Sequence, residues 1–185
     1  ACAVTASEQG HCVTLFEAAE TIGGQINYAR QVPGKQEFNE LLRYYRRRLE
    51  VLGVALRLGE KPDASRLVAG KFARIVIATG VRPRVPDIPG IPHASVVSYP
   101  EVFSGRVIPG QRVVVMGAGG IGFDLAEFLC HQPRDAQTAR DPIQQFQNTW
   151  GVDVSPDAHG GLKAAALAQP FRQVTLVQRK PDKPG

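Results

Sequence analysis

The residues with the plainest chemical potential are Gly117, Ala118, Gly119, Gly120, Ile121 and Gly122, a glycine-rich run between an apolar stretch, Arg112 to Met116, and an apolar helical pattern, Phe123 to His131. A strand, a glycine turn and a helix in that order make a dinucleotide fingerprint. Gly117 permits the tight turn, Gly119 lets backbone approach a pyrophosphate, and Gly122 lets helix and strand pack closely. The helix start would then offer free N–H groups and a partial positive charge to phosphates. The bland alternative is a glycine-rich turn with no ligand.

Which nucleotide such a turn takes depends on the end of the next strand. A carboxylate there holds a ribose 2′-hydroxyl, and a basic residue holds a 2′-phosphate. Here the strand Gln173 to Gln178 runs into Arg179 and Lys180, with Lys183 just beyond and no carboxylate at its end. The pattern favours NADPH over NADH. The usual spacing of about 20 residues between fingerprint and strand end is much exceeded. An insertion from about Pro133 to Pro170 accounts for the excess. An exposed basic strand end with no ligand is the competing reading of Arg179 and Lys180.

A complementary feature lies near the start. Val13-Thr14-Leu15-Phe16 ends in Glu17, a position from which a carboxylate can bind both hydroxyls of an adenosine ribose, as FAD would require. A surface glutamate at a strand end is the equal alternative. The strand and glycine turn that should precede such a unit are expected upstream of Ala1, and further strands after Gly185. The chain therefore reads as cut short at both ends, with weak nucleotide binding expected.

The elements that must hold these residues follow from periodicity. Ala1 to Glu8 reads as the end of a helix stopped by Gly10, and Cys12 to Phe16 as a buried strand. Gly23-Gly24 and Pro33-Gly34 make turns. Gln36 to Leu52 is an amphipathic helix whose wet face carries Arg46, Arg47 and Arg48. Val54 to Leu58 and Arg74 to Ala78 read as strands, with a short helix or turn from Asp63 to Val68. A connector rich in Pro and Gly, residues 81–110, divides the chain. Strands alternating with helices predict an α/β fold of two incomplete Rossmann-like units with parallel sheets. The first, residues 1–110, is a partial FAD-binding domain with its connector. The second, residues 111–185, is a partial NADPH-binding domain carrying the insertion. Periodicity is poor within the insertion, where Trp150 is expected to anchor it to the body of the protein.

Composition narrows the function classes. The 185 residues are 43% hydrophobic, enough for a core, and carry a net charge of +5. No apolar run reaches the roughly 18 residues of a membrane span, and no leader opens the sequence, so no membrane role and a cytoplasmic address are expected. Cys2, Cys12 and Cys130 form no C-x-x-C pair and read as buried free thiols, with neither a disulfide framework nor a metal site. The basic balance suits an anionic partner. No nucleic-acid recognition motif accompanies it, so no nucleic-acid partner is expected.

Taken together, the sequence resembles the bacterial NADPH-dependent 2,4-dienoyl-CoA reductases, iron-sulfur flavoproteins of the old yellow enzyme and trimethylamine dehydrogenase group. The resemblance runs nearly the whole length. It rests on Val13 to Glu17, Ile22-Gly23-Gly24-Gln25, Gln31 to Lys35, Arg46 to Leu49, Ala78 to Pro83, Gly117 to Asp124, Trp150-Gly151-Val152-Asp153 and Gln178-Arg179-Lys180. It implies a relay in which NADPH gives hydride to FAD, and electrons pass singly through a 4Fe-4S cluster to FMN, which reduces the dienoyl-CoA in fatty acid β-oxidation. By position, Glu17 would bind the FAD ribose. Gly24, Gln25 and Lys35 would meet the FAD phosphates or neighbouring groups, and Pro62 would lie where backbone meets the adenine. Arg179 and Lys183 would hold the NADPH 2′-phosphate, with Lys180 close by. The FMN barrel, the cluster cysteines and the proton donors of that family lie upstream, so no residue here is catalytic in dienoyl reduction, and the isolated chain is expected to be inactive. A related enone reductase or amine dehydrogenase, or a basic binding module, remains the alternative.

Overall fold

The computed structural model describes residues 1–131, 142–155, 157, 159–166 and 169–182. Two compact units divide the chain, Ala1–Ile108 and Pro109–Gly185.

The first unit opens with helix α1 (Cys2–Glu8) and strand β1 (Thr14–Glu17). After them come the short α2 (Ile26–Ala29), the long α3 (Phe38–Val51), β2 (Ala55–Leu58), α4 (Ala64–Ala69) and α5 (Tyr99–Phe103). β1 and β2 pair in parallel with Thr14 opposite Ala55 and Glu17 opposite Leu58. The core under this ladder is small. Val4 of α1, Leu49 of α3 and Val54 are buried together, with Val13, Leu15, Tyr45 and Leu52 packed around them. α3 ends in a Schellman motif: Gly53, at φ +66°, donates to the Glu50 carbonyl, and Val54 donates to that of Leu49. The same Val54–Leu49 pair meets in the core, so one glycine both stops the helix and aims β2. α1 closes in the same way at Gly10, where His11 donates to the Ala6 carbonyl. An ion pair between Arg48 and Glu8 joins the two helices.

The second unit holds β3 (Arg112–Met116), α6 (Gly120–Cys130), α7 (Pro142–Trp150) and β4 (Gln173–Val177). β3 and β4 pair in parallel, Arg112 opposite Gln173 and Met116 opposite Val177. α6 packs on both strands. Ala126 and Leu129 of α6 and Val115 of β3 are the buried apolar residues of this unit among those described. The inserted segment leaves and rejoins this unit at one place. Phe171 donates its N–H to the Cys130 carbonyl at the end of α6 (2.7 Å), and Arg172 Nε donates to the Pro109 carbonyl just before β3 (3.2 Å). A long insertion therefore leaves the register of β4 intact.

Several sequence expectations are corrected. Arg74 to Ala78 runs without a ladder, and Ile75, Val76 and Ile77 are 48%, 68% and 73% exposed. An apolar run becomes a strand only when a neighbour takes its N–H and C=O groups, and among the described residues this run has none. β1 starts at Thr14 and is half-buried along its length. α6 starts at Gly120, three residues before the apolar pattern, because its first turn is made of the glycine run itself. The insertion is not featureless: beyond α7, Val152 bridges Leu162, and Gly151 is buried at φ +66° where a Cβ would lie 2.5 Å from the Lys163 carbonyl oxygen. Trp150 is 69% exposed, so it anchors nothing to the body of its unit. Its ring instead stands 6.1 Å from that of Phe146, one turn back along α7. Cys2 and Cys12 are exposed and Cys130 half-buried, not the buried thiols expected. Cys2 begins a helix that buries only Val4, and Cys12 precedes β1.

Candidate functional site

In the second unit the fingerprint forms the turn from β3 into α6. Gly117 has φ +113°, a conformation that side-chain-bearing residues rarely adopt. Its N–H donates to the Val177 carbonyl at 2.8 Å, extending the β3–β4 ladder by one bond. Gly122 is needed for close approach: a Cβ there would sit 1.8 Å from the Gly117 carbonyl oxygen and 3.7 Å from Leu176 Cδ2. Gly119, extended, is the N-cap of α6, and no side chain caps the helix. A Cβ on Gly119 or Gly120 would meet no described atom within 4 Å. Ala118 is half-buried and Ile121 half exposed. The turn thus has one packed side, at Gly122, and one open side, where the uncapped first-turn N–H groups of α6 are available to an anion. A pyrophosphate fits this cradle, since backbone donors and open space are what it requires.

Arg179 and Lys180 follow β4 after the single residue Gln178. Both are exposed, and among the described residues neither forms a hydrogen bond or ion pair. Because Gly117 is bonded to Val177, this basic pair leaves the sheet beside the fingerprint. Lys183 lies outside the described residues. Gln178, between Val177 and Arg179, donates its side-chain Nε2–H to the carbonyl of Asp182.

In the first unit, Glu17 ends β1. One carboxylate oxygen accepts from the Ala19 N–H at 2.9 Å. The loops after the two strands are bound together, Glu60 N–H to the Glu17 carbonyl (3.1 Å) and Gly59 N–H to that of Ala19 (3.0 Å). Glu17 and Pro62 therefore share the carboxyl edge of one parallel ladder, the edge at which open α/β sheets receive ligands. Asp63 caps α4 behind Pro62: its carboxylate accepts from the N–H of Arg66 (2.8 Å) and from Ser65 Oγ (2.7 Å), which lowers its pKa. The Arg66 guanidinium stands 5.3 Å from the centre of the Phe16 ring.

An open groove of about 380 Å³ adjoins this edge, with Ala19, Gly24, Gln25, Tyr28 and Arg30 along it. Gly23 (φ +121°) and Gly24 (φ +49°) shape its start, and a Cβ at Gly23 would fall 2.7 Å from Leu42 Cδ2. Gln25 Oε1 accepts from Tyr99 OH at 2.9 Å, while Tyr28 packs edge-on to Tyr99 and stacks on Phe103. Lys35 follows the Pro33-Gly34 turn and is not among the residues lining the groove. Of the residues singled out from sequence, Glu17 and Pro62 come together at one ladder edge, and Gly24 and Gln25 in the groove beside it. Tyr99, Arg30 and the Gln178–Asp182 contact were not foreseen. Tyr99 reaches Gln25 across a long sequence interval with no local signal, whereas Gln178 lay inside a run already singled out.

Two parallel α/β ladders, one with a glycine-rich strand-to-helix turn and the other with an acidic strand end, define a dinucleotide-binding fold. The chain belongs to the pyridine nucleotide-disulphide oxidoreductase family, whose profile matches residues 1–182. These are flavoprotein oxidoreductases with a Rossmann-like FAD/NAD(P)-binding fold and parallel sheets. The chain is 39% identical over 124 residues to the bilirubin reductase of Mediterraneibacter gnavus, a match covering 67% of this chain and 19% of that protein. With the NADH oxidase of Thermoanaerobacter brockii it shares 31% identity over 158 residues, 83% of this chain and 24% of the relative. The fold is also that of a 2-naphthoyl-CoA reductase solved with 2-naphthoyl-CoA, at a TM-score of 0.68 and 23% identity, over 96% of this chain and 31% of that one. The chain thus spans about a fifth to a quarter of these curated relatives. Among the described residues no helix is long and apolar enough to cross a membrane, and no group of three or more His, Cys, Asp and Glu could hold a metal ion.

Proposed function

We propose that this chain is the nucleotide-binding part of an NADPH-dependent flavoprotein reductase of the 2,4-dienoyl-CoA type. In this reading the first unit holds FAD and the second NADPH. When bound, the two nucleotides supply the redox chemistry, a hydride given up by nicotinamide and taken by flavin. The chain's own residues bind and orient. Gly117, Ala118, Gly119, Gly120, Ile121 and Gly122 form the phosphate cradle, and Arg179, Lys180 and Lys183 meet the 2′-phosphate. On the flavin side Glu17 holds the ribose, Gly24, Gln25 and Lys35 the phosphates or their neighbours, and Pro62 the adenine edge. FMN, a 4Fe-4S cluster and the dienoyl-CoA site belong to the rest of a longer, cytoplasmic protein acting in β-oxidation.

The observation that carries the coenzyme choice is the adjacency of Gly117 to the strand end at Val177, where Gln178 and then two exposed cations, Arg179 and Lys180, stand in place of a carboxylate. The NADH oxidase relative is named for the other coenzyme, so the basic pair is the decisive test. Titrating the chain with NADP⁺ and NAD⁺ should show tighter NADP⁺ binding, abolished by R179A/K180A. Equal binding of the two by the unaltered chain would sink the 2′-phosphate reading. The acyl-CoA reading rests on the sequence resemblance. It is tested in the longer protein by NADPH oxidation dependent on a 2,4-dienoyl-CoA. Turnover with a simple enone or an amine, and none with the thioester, would replace it.

A further inference from the structure

Between the strand end and Asp182 the structure holds a closed loop. Gln178 leaves β4 directly after Val177, the residue that fixes Gly117, and its side-chain amide donates to the Asp182 carbonyl. Arg179, Lys180 and Pro181 lie inside this closure. Both cations are exposed, and no ion pair of either with another described residue is present.

We infer that Gln178 is a specificity-determining positioning residue: by tying off residues 178–182 it presents Arg179 and Lys180 to the 2′-phosphate of an adenine dinucleotide. The chemistry follows from the position. The side chain directly after the second strand is the one that faces the adenosine ribose in this fold class. A carboxylate there would accept from a 2′-hydroxyl and repel a 2′-phosphate. Gln178 carries no charge and so does not repel a 2′-phosphate, and its side-chain N–H donates along the loop to the Asp182 carbonyl. A loop already tied between Gln178 and Asp182 leaves less backbone to be ordered when a nucleotide binds. Pro181 stiffens the loop further, since its fixed φ also restricts Lys180 before it.

This inference rests on the NADPH reading, and the experiment separates the two. The unaltered chain and the variants Q178A, Q178E and R179A/K180A are titrated with NADP⁺ and with NAD⁺, followed by ¹⁵N amide shifts. R179A/K180A tests the reading and should erase the preference for NADP⁺. Q178A should weaken NADP⁺ by about 2- to 10-fold, the range of one lost hydrogen bond, and leave NAD⁺ unchanged. Q178E should invert the preference. Gln178 is exposed, so none of these changes touches the core. Equal weakening of both nucleotides by Q178A, or no effect while R179A/K180A loses the preference, overturns the role of Gln178 alone. An unchanged preference in R179A/K180A, or no shifts with either nucleotide in the millimolar range, overturns the coenzyme reading with it.

Discussion

Gly117 donates its backbone N–H to the carbonyl of Val177 at 2.8 Å. That bond brings the first glycine of the glycine-rich turn against the last residue of a strand from the far side of a long insertion. Everything proposed for the second unit follows from this neighbourhood. The turn's open side and the basic strand end become parts of one surface only because the ladder runs one bond past Met116.

The two sides of the turn can be told apart by alanine. At Gly122 a Cβ would sit 1.8 Å from the Gly117 oxygen, so either the turn or α6 must move. Gly122→Ala should destabilise the chain by about 1–3 kcal/mol, the usual cost of overpacking, read as a lower denaturant midpoint. Gly119→Ala adds a methyl that meets nothing described. It should leave the midpoint within about 0.5 kcal/mol and weaken NADP⁺ binding. Unchanged binding in a folded Gly119→Ala chain would show that no phosphate approaches there.

The groove of the first unit depends on a contact between distant residues. Tyr99→Phe removes the hydroxyl from Gln25 but keeps the ring against Tyr28. The bond is exposed, so the loss should be at most about 1 kcal/mol. Phe103→Ala, in contrast, empties a site only 5% exposed and should cost about 3–5 kcal/mol. Similar unfolding midpoints for the two variants would contradict the packing described.

Much of this was legible because it is local. A helix face is written at three- and four-residue spacing, and α3 follows it; a strand-turn-helix with glycines at fixed offsets is local too, and β3 and α6 follow that. What was not legible depends on partners. Arg74 to Ala78 has the composition of a strand, but no described neighbour completes it. Trp150 has the composition of an anchor, yet Phe146 is the only aromatic ring it meets among the described residues. Glu17 is a single carboxylate whose surroundings are set by Ala19 and the loop after β2. Tyr99 meets Gln25 only because α5 folds back on α2, and nothing in either segment announces the other.

Acid should loosen α5 before the cores unfold. Ser98 begins this helix with a capping box: Glu101 accepts from the Ser98 N–H at 2.8 Å and from its hydroxyl at 2.7 Å, and these bonds hold the carboxyl below the usual glutamate range. A lowered folded-state pKa means that the stabilisation is full above the ordinary value, about 4.3, and is lost as pH falls through the folded value. Amide protection at Glu101, Val102 and Phe103, taken relative to the intrinsic exchange rate at each pH, should fall over that window, and Glu101→Gln should flatten the dependence. A loss of protection that persists unchanged in Glu101→Gln would assign the acid sensitivity elsewhere.

Trp150 offers a direct optical test of the insertion. It is the chain's single tryptophan and is 69% exposed on α7, beside Phe146 at 59% and within a turn of Gly151, which is buried. Its fluorescence should be that of a solvated indole, readily quenched by acrylamide and little shifted on unfolding. Trp150→Ala should change stability by no more than about 0.5 kcal/mol, as for exposed sites generally. Gly151→Ala should cost more, because its Cβ would stand 2.5 Å from the Lys163 carbonyl and its φ of +66° disfavours any side chain. A blue-shifted, protected emission would place the indole in a packed interface and restore the anchoring role expected from sequence.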